Sequence, residues 1–223
     1  MSTGSKPPSL EQRLALEGFY TERRIVELEL DPVRGDFDAA HLREINRRIF
    51  QDLPGAGCVD ATPGHYRPPV SEGRDWMKQR HLVTVNGVFY VAYSRMDAMA
   101  QAAMDAALWA AHPDKLRGLE AVVFTARIAQ LYASVDYAHP FSDGNSRTLR
   151  TYTRQLARTA VGVLDWERFS NSPADRDALY IARDISANRI AQPQIQQERT
   201  MRRVAASLAA LSGYKDLPAL LAS

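Results

Sequence analysis

Cysteine is nearly absent from this chain of 223 residues. Cys58 stands alone, so no internal disulfide can form and a cysteine-based zinc site is excluded. The same scarcity suits a reducing compartment. No apolar run approaches the ~20 residues that a membrane span needs. The first nine residues are rich in Ser, Gly and Pro, lack the apolar stretch of a signal peptide, and read as a frayed tail. An excess of either charge is lacking too. Against 26 Asp plus Glu stand 28 Lys plus Arg, a formal net charge of +2, which gives no electrostatic case for a nucleic-acid partner or a membrane surface. There is no Gly-x-Ser-x-Gly elbow, no His-Glu-x-x-His, no P-loop, no dinucleotide-binding fingerprint and no internal repeat.

What is present is helical spacing. Hydrophobic residues make up 45% of the chain and charged residues 24%, the balance of a globular domain. From Glu11 to Leu30 one long amphipathic helix is predicted, with a bend at Gly18 and a stop at Asp31-Pro32, since proline disfavours the helical conformation of the residue before it. Leu42, Ile45, Ile49 and Leu53 predict a second helix over about 38–53, stopped by Pro54. Residues 54–75 read as irregular. Leu82–Val85 and Val88–Val91 flank Asn86-Gly87, a strong hairpin signal. Two strands alone are marginal in water, so the hairpin must lean on helices and leave an edge open. Ser94 and Asp97 open an Ala-rich helix ending near His112-Pro113. Lys115–Tyr137, apolar on nearly every side through Val122, Val123, Ile128 and Leu131, is the expected central helix. Further helices are predicted over 146–161, 176–189 and 195–210. Trp76, Trp109 and Trp166 read as core or interface anchors. The expected fold is mainly α, a single-domain helical bundle with one β-hairpin.

Chemistry concentrates in one stretch, His139-Pro140-Phe141-Ser142-Asp143-Gly144-Asn145-Ser146-Arg147-Thr148-Leu149-Arg150. It places a potential base, a carboxylate and a Gly-Asn pair directly before a helix. A helix N-terminus offers unpaired N–H groups and partial positive charge, an anion site. Arg147, Arg150, Arg154 and Arg158 fall on one face of that helix, and the last two read as an ordinary solvated face. In the first turns Arg147 and Arg150 oppose the helix dipole, a penalty that a bound polyanion would reverse. With Asp143 able to hold a hard divalent cation, the pattern describes a triphosphate–magnesium site. His139 beside it is the candidate general base, and Phe141 an apolar anchor for the loop.

These residues resemble the signature of the Fic (Fic/Doc) family, His-Pro-Phe-x-[Asp/Glu]-Gly-Asn-Gly-Arg-x-x-Arg, with eight specified identities in twelve positions. Asp31-Pro32, Gly35 to Asp38, His41-Leu42 and Phe50 to Leu53 resemble the segment before the flap in bacterial Fic proteins. The hairpin stands where that family has its target-docking flap, here Val85, Asn86, Gly87, Val88, Phe89 and Tyr90. The resemblance divides the chain into a tail (1–9), a Fic domain (10–190) and a C-terminal helical extension (191–223). It implies a protein adenylyltransferase of toxin or effector type, moving AMP from ATP to a Ser, Thr or Tyr hydroxyl of a target protein. His139 would be the base and Asp143 the Mg²⁺ ligand. Gly144 and Asn145 would form the anion nest, with the Asn145 side chain on the α-phosphate, and Arg147 and Arg150 would hold the outer phosphates. Ser146 departs from the family glycine and brings a Cβ and a hydroxyl to the cradle. Doc-type phosphotransferases also lack that glycine, so a phosphotransferase or other nucleotide-donor transferase is an alternative, as is a silent binding module. Many family members are restrained by a glutamate on the arginine matching Arg150. Glu17-Gly18 partly fits that motif, but Arg13 stands at its Ser/Thr position, so the sequence favours a small antitoxin-like inhibitor in trans over restraint by Glu17. The expected location is cytoplasmic, its own or that of a recipient cell.

Overall fold

The computed structural model describes residues 9–222. Among them the chain forms nine α-helices and one antiparallel hairpin. Helix α1 (Leu10–Leu30) runs through Gly18 without a break. Ser9 caps it: its hydroxyl accepts from the Gln12 N–H while the Gln12 side chain accepts from the Ser9 N–H. This reciprocal box draws Ser9 into the helix and out of the expected tail, the rest of which lies outside the described residues. Asp38 caps α2 (Ala39–Phe50) by accepting from the His41 N–H at 2.9 Å.

The hairpin pairs β1 (Trp76–Leu82) with β2 (Gly87–Tyr93), from Trp76 opposite Tyr93 to Leu82 opposite Gly87. The first strand thus lies earlier than the sequence predicts, and Val83–Asn86 form the turn. Asp177 is the cause: its Oδ2 accepts from both the Thr84 N–H (2.8 Å) and Thr84 Oγ1 (2.9 Å), pulling that residue out of the ladder. Asn86, at φ 44°, closes the turn in the left-handed region that asparagine tolerates.

Next come α3 (Ala98–Ala110), α4 (Pro113–Leu116), α5 (Ala121–Ala138) and α6 (Asn145–Thr159), followed by α7 (Pro173–Ala191), α8 (Glu198–Ala210) and α9 (Leu217–Leu221). Helix α5 is central only beyond its first turns: Ile128, Leu131, Tyr132 and Val135 are buried, whereas Val122 is 76% exposed, against expectation. The main core joins α2 (Leu42, Ile45, Ile49), α5 and α6 (Leu149, Tyr152, Leu156) with Trp166, Leu217 and Leu221. Trp109 is 65% exposed and anchors nothing in that core. Helix α9 packs on α5 and α7, and α8 lies on β2 through Val204 and Ala92.

The outer edge of β2 is closed. Its Tyr90 N–H donates to Ser207 Oγ of α8, its Ala92 N–H donates to Asn188 Oδ1 of α7, and Asn188 Nδ2 donates to the Tyr90 carbonyl, each at 2.9 Å. Alternation along an antiparallel pair then turns Phe89 and Val91 toward β1, and leaves the main-chain groups of Met77, Gln79 and His81 on the open side. The expected flap residues are therefore not the open edge. Val85 and Asn86 sit in the turn, and Gly87, Val88, Phe89 and Tyr90 belong to the covered strand.

Candidate active site

His139 is the C-cap of α5, held at φ 47° and ψ 58° with its N–H donating to the Val135 carbonyl at 3.0 Å. Arg67 fixes this corner. Its Nε donates to the His139 carbonyl at 2.8 Å, its Nη2 donates to the carbonyls of Ser94 (2.7 Å) and Ala138 (3.3 Å), and its guanidinium lies 3.9 Å from the Trp76 ring. A buried cation is tolerable here because it sits on the negative end of α5; burial draws its pKa down to about 10. No motif marks Arg67, which lies in the segment the sequence leaves irregular.

The His139 ring is buried between Tyr93, 4.0 Å between centroids, and Trp76, 5.2 Å away. Trp76 is thus a wall of the site and not only an anchor. Nε2 lies 3.1 Å from Lys78 Nζ on β1, and Nδ1 is buried without a partner among the described residues. Burial holds the imidazole well below its ordinary pKa of 6.5, and Lys78, Arg183, Arg67 and Arg80 push the same way. At neutral pH it is an unprotonated base.

Phe141 is buried against Tyr66. Its N–H donates to Asn145 Oδ1 at 2.9 Å and its carbonyl accepts from Asn145 Nδ2 at 2.7 Å. The Asn145 side chain therefore closes the loop on itself, which differs from the phosphate contact that the resemblance implies. Gly144 turns the chain at φ 74°, and a Cβ there would stand 1.9 Å from Phe50 Cζ. Helix α6 has no side-chain cap and no acidic residue in its first turn. Its first internal bond runs from the Thr148 N–H to the Gly144 carbonyl, so the N–H groups of Asn145, Ser146 and Arg147 are left to an external acceptor. These orphan donors fit an anion.

Ser146 faces inward. Its Oγ accepts from Arg183 Nη1 at 3.0 Å, and Arg183 clamps Asp136 through Nη2 (2.7 Å) and Nε (3.0 Å). Arg80 of β1 pairs likewise with Asp184 at 3.0 and 3.1 Å and donates to the Tyr93 hydroxyl at 3.0 Å. This buried network ties the hairpin to α5, α6 and α7, and it occupies the serine hydroxyl.

The arginines divide. Arg147 donates to Glu17 and, at 2.9 Å, to Thr21 Oγ1, both on α1. Arg150 makes no ion pair among the described residues, and its Nε is buried without a partner. Arg154 departs from the expected solvated face, held by Glu29 at 2.8 Å and by Glu167 at 2.7 Å, whereas Arg158 is 57% exposed and pairs with Glu29 at 2.5 Å. Asp143 is 65% exposed and lies 3.7 Å from Arg13, whose other contact is Asp60 at 2.6 Å. No group of three or more His, Cys, Asp or Glu among the described residues could hold a metal alone. One carboxylate beside an anion cradle does fit Mg²⁺, which keeps several waters and shares substrate phosphates.

The model of the Fic/DOC family matches residues 36–157. The protein adenylyltransferase VbhT of Bartonella schoenbuchensis is 25% identical over 166 residues, covering 74% of this chain and 30% of that protein. A protein adenylyltransferase of Bartonella henselae is 23% identical over 150 residues, covering 66% of this chain and 26% of the relative. The chain thus spans under a third of the length of these curated relatives. Among solved structures, the N-terminal Fic domain of a VirB-translocated Bep effector protein from Bartonella quintana, with bound ADP, aligns with a TM-score of 0.53 at 21% identity, covering 92% of this chain and 86% of that one. The BepC protein of Bartonella tribocorum, with bound AMPPNP, aligns with a TM-score of 0.56 at 15% identity, covering 92% of each. These similarities establish a shared fold.

Proposed function

The chain belongs to the Fic/DOC family, and from that premise we propose that it is a protein adenylyltransferase, moving AMP from ATP to a Ser, Thr or Tyr hydroxyl of a target protein. One observation carries the reading: the uncapped, acid-free N-terminus of α6, with Arg147 and Arg150 on its first turns, stands one short loop from a buried, neutral His139. His139 takes the proton of the target hydroxyl. The hydroxyl oxygen bonds to the α-phosphorus as the bond to pyrophosphate breaks, so most of the acceleration is positioning and charge neutralisation. The N–H groups of Asn145, Ser146 and Arg147 cradle phosphate oxygens, Arg150 holds the outer phosphates, and Asn145 keeps the loop in shape. Asp143 would hold Mg²⁺, which when bound neutralises phosphate charge. The names of both curated relatives and the nucleotides in the two solved domains support an adenine-nucleotide donor.

Restraint lies in the chain itself. Glu17 holds Arg147, and one guanidinium cannot serve that carboxylate and a phosphate in the same geometry. This reading replaces a separate inhibitor with α1. Target protein docks on the open edge of β1, beside His139. Its site of action is a cytoplasm, its own or a recipient cell's; no described helix is long and apolar enough to cross a membrane. Incubation with Mg²⁺ and ATP labelled at either the α or the γ phosphate tests the assignment. Protein label from α is expected and should vanish in His139→Ala. Label from γ alone would make the enzyme a phosphotransferase, and no label from either, with Glu17 replaced, would leave a binding module.

A further inference from the structure

The most informative unassigned group is Lys78. It projects from β1 on the same hairpin face as Trp76 and Arg80, with Nζ 3.1 Å from His139 Nε2 and 5.1 Å from the centre of the Trp76 ring. Several charged groups face the imidazole from the elements around it. Arg80 shares β1, Arg67 comes from the preceding loop and Arg183 from α7, while Tyr93 of β2 packs on the ring at a tilt of 35°; Asp184 of α7 and Asp136 of α5 stand behind Arg80 and Arg183. The arginines are answered locally: Arg80 by Asp184, Arg183 by Asp136, and Arg67 by four backbone carbonyls. Lys78 is different. It makes no ion pair among the described residues, and its one polar contact is the imidazole. Asp143 and Asp136 offset its charge only through space, whereas His139 meets it directly at 3.1 Å.

Taking His139 as the base, as proposed above, we infer that Lys78 is a positioning residue that orients the imidazole and keeps it in the neutral, proton-accepting form. An ammonium group only donates. Its bond to Nε2 places the ring proton on Nδ1 and directs the Nε2 lone pair toward the hairpin, the side from which a target held on β1 arrives. Protonating Nε2 would set N–H against ammonium, so that state is disfavoured while Lys78 is charged. An incoming hydroxyl takes the place of Nζ on the same lone pair and gives its proton there. Burial lowers the Lys78 pKa as well, with Asp143 opposing.

The test is the titration of His139 in the full chain labelled with ¹⁵N-histidine, read by NMR for wild type, Lys78→Met, Lys78→Gln and Lys78→Arg. Neither ATP nor target is needed, so the result stands apart from whether AMP transfer is found. Removing the charge in Lys78→Met or Lys78→Gln should raise the midpoint by about one unit or more, the usual effect of losing a like charge at this range, and Lys78→Arg should keep it low. The acid limb of the AMP-transfer rate should move upward with the midpoint. An unchanged midpoint in whichever neutral variant folds overturns the inference. So does Lys78→Arg titrating like Lys78→Met, or a wild-type His139 with an ordinary midpoint.

Discussion

Histidine and glycine each carry a separate test at the residue scale. His139→Ala should cost on the order of 10² to 10⁴ in transfer rate, typical of a lost general base. Nucleotide affinity measured by calorimetry should stay within a few-fold, because in the proposed reaction the base acts on the hydroxyl and not on the triphosphate. Gly144→Ala meets two penalties, a left-handed backbone and a Cβ against Phe50. Together these should cost about 2 to 4 kcal/mol in urea unfolding. A loss below about 1 kcal/mol would mean that the loop relaxes around Phe50. The line from His139 to Arg150 is legible in the sequence because its geometry is local: a helix end, a tight loop and a helix start need no distant partner to be recognised. Arg67 and Lys78 are not legible, since the one finds carbonyls and the other an imidazole that the sequence leaves far away.

Helix α1 and the hairpin are the elements on which the account depends, and both differ from their sequence reading in instructive ways. Glu17 and Arg147 are separated by 130 positions, so nothing local could pair them. Only Thr21 and Leu28 of α1 are buried, Tyr20 and Ile25 pack partly on the core, and ion pairs supply its other attachments: Arg13 to Asp60, Glu17 to Arg147, Arg24 to Asp52 at 2.7 Å and Glu29 to Arg154. Such contacts are screened by salt. Amide protection along α1 should therefore fall with added NaCl while that of α5 stays constant, and equal behaviour of the two helices in hydrogen exchange would contradict an electrostatically held α1. Strand β1 is illegible in the sequence because Lys78, Gln79, Arg80 and His81 show no apolar alternation. Its exposure is what makes it useful. Proline at Gln79 removes an outward N–H and spares the ladder. Gln79→Pro should lower target modification far more than ATP affinity, whereas Tyr90→Pro should weaken the fold by removing the bond to Ser207. Similar losses of modification and ATP affinity in Gln79→Pro would make the edge merely structural.

Across the whole molecule, burial of neutral histidines gives stability a pH dependence. His139 and His41 are both held below 6.5 by burial, so the unfolded chain binds more protons than the folded one once pH falls below that value. Stability must then rise with pH through that window and drop on acidification. Melting temperature should decline from pH 7 to pH 5, and less steeply in His139→Gln; an identical slope would place the acid sensitivity elsewhere. The buried Arg183–Asp136 pair adds a second global test. Arg183→Met strands a carboxylate and should destabilise by about 3 to 5 kcal/mol. The bundle was foreseeable because its helices repeat apolar residues at helical spacing, but the way α1 closes over α6 was not, since that contact is ionic and lies between distant segments. The central claim is that α1 restrains an AMP transferase built on the His139 loop. It is tested most directly by the initial rate of label transfer from α-labelled ATP in three proteins: wild type, Glu17→Gly, and Glu17→Gly combined with His139→Ala. The account predicts a several-fold rise in the first variant and its disappearance in the second; an unchanged rate in Glu17→Gly, or a rate that survives the loss of His139, would contradict it.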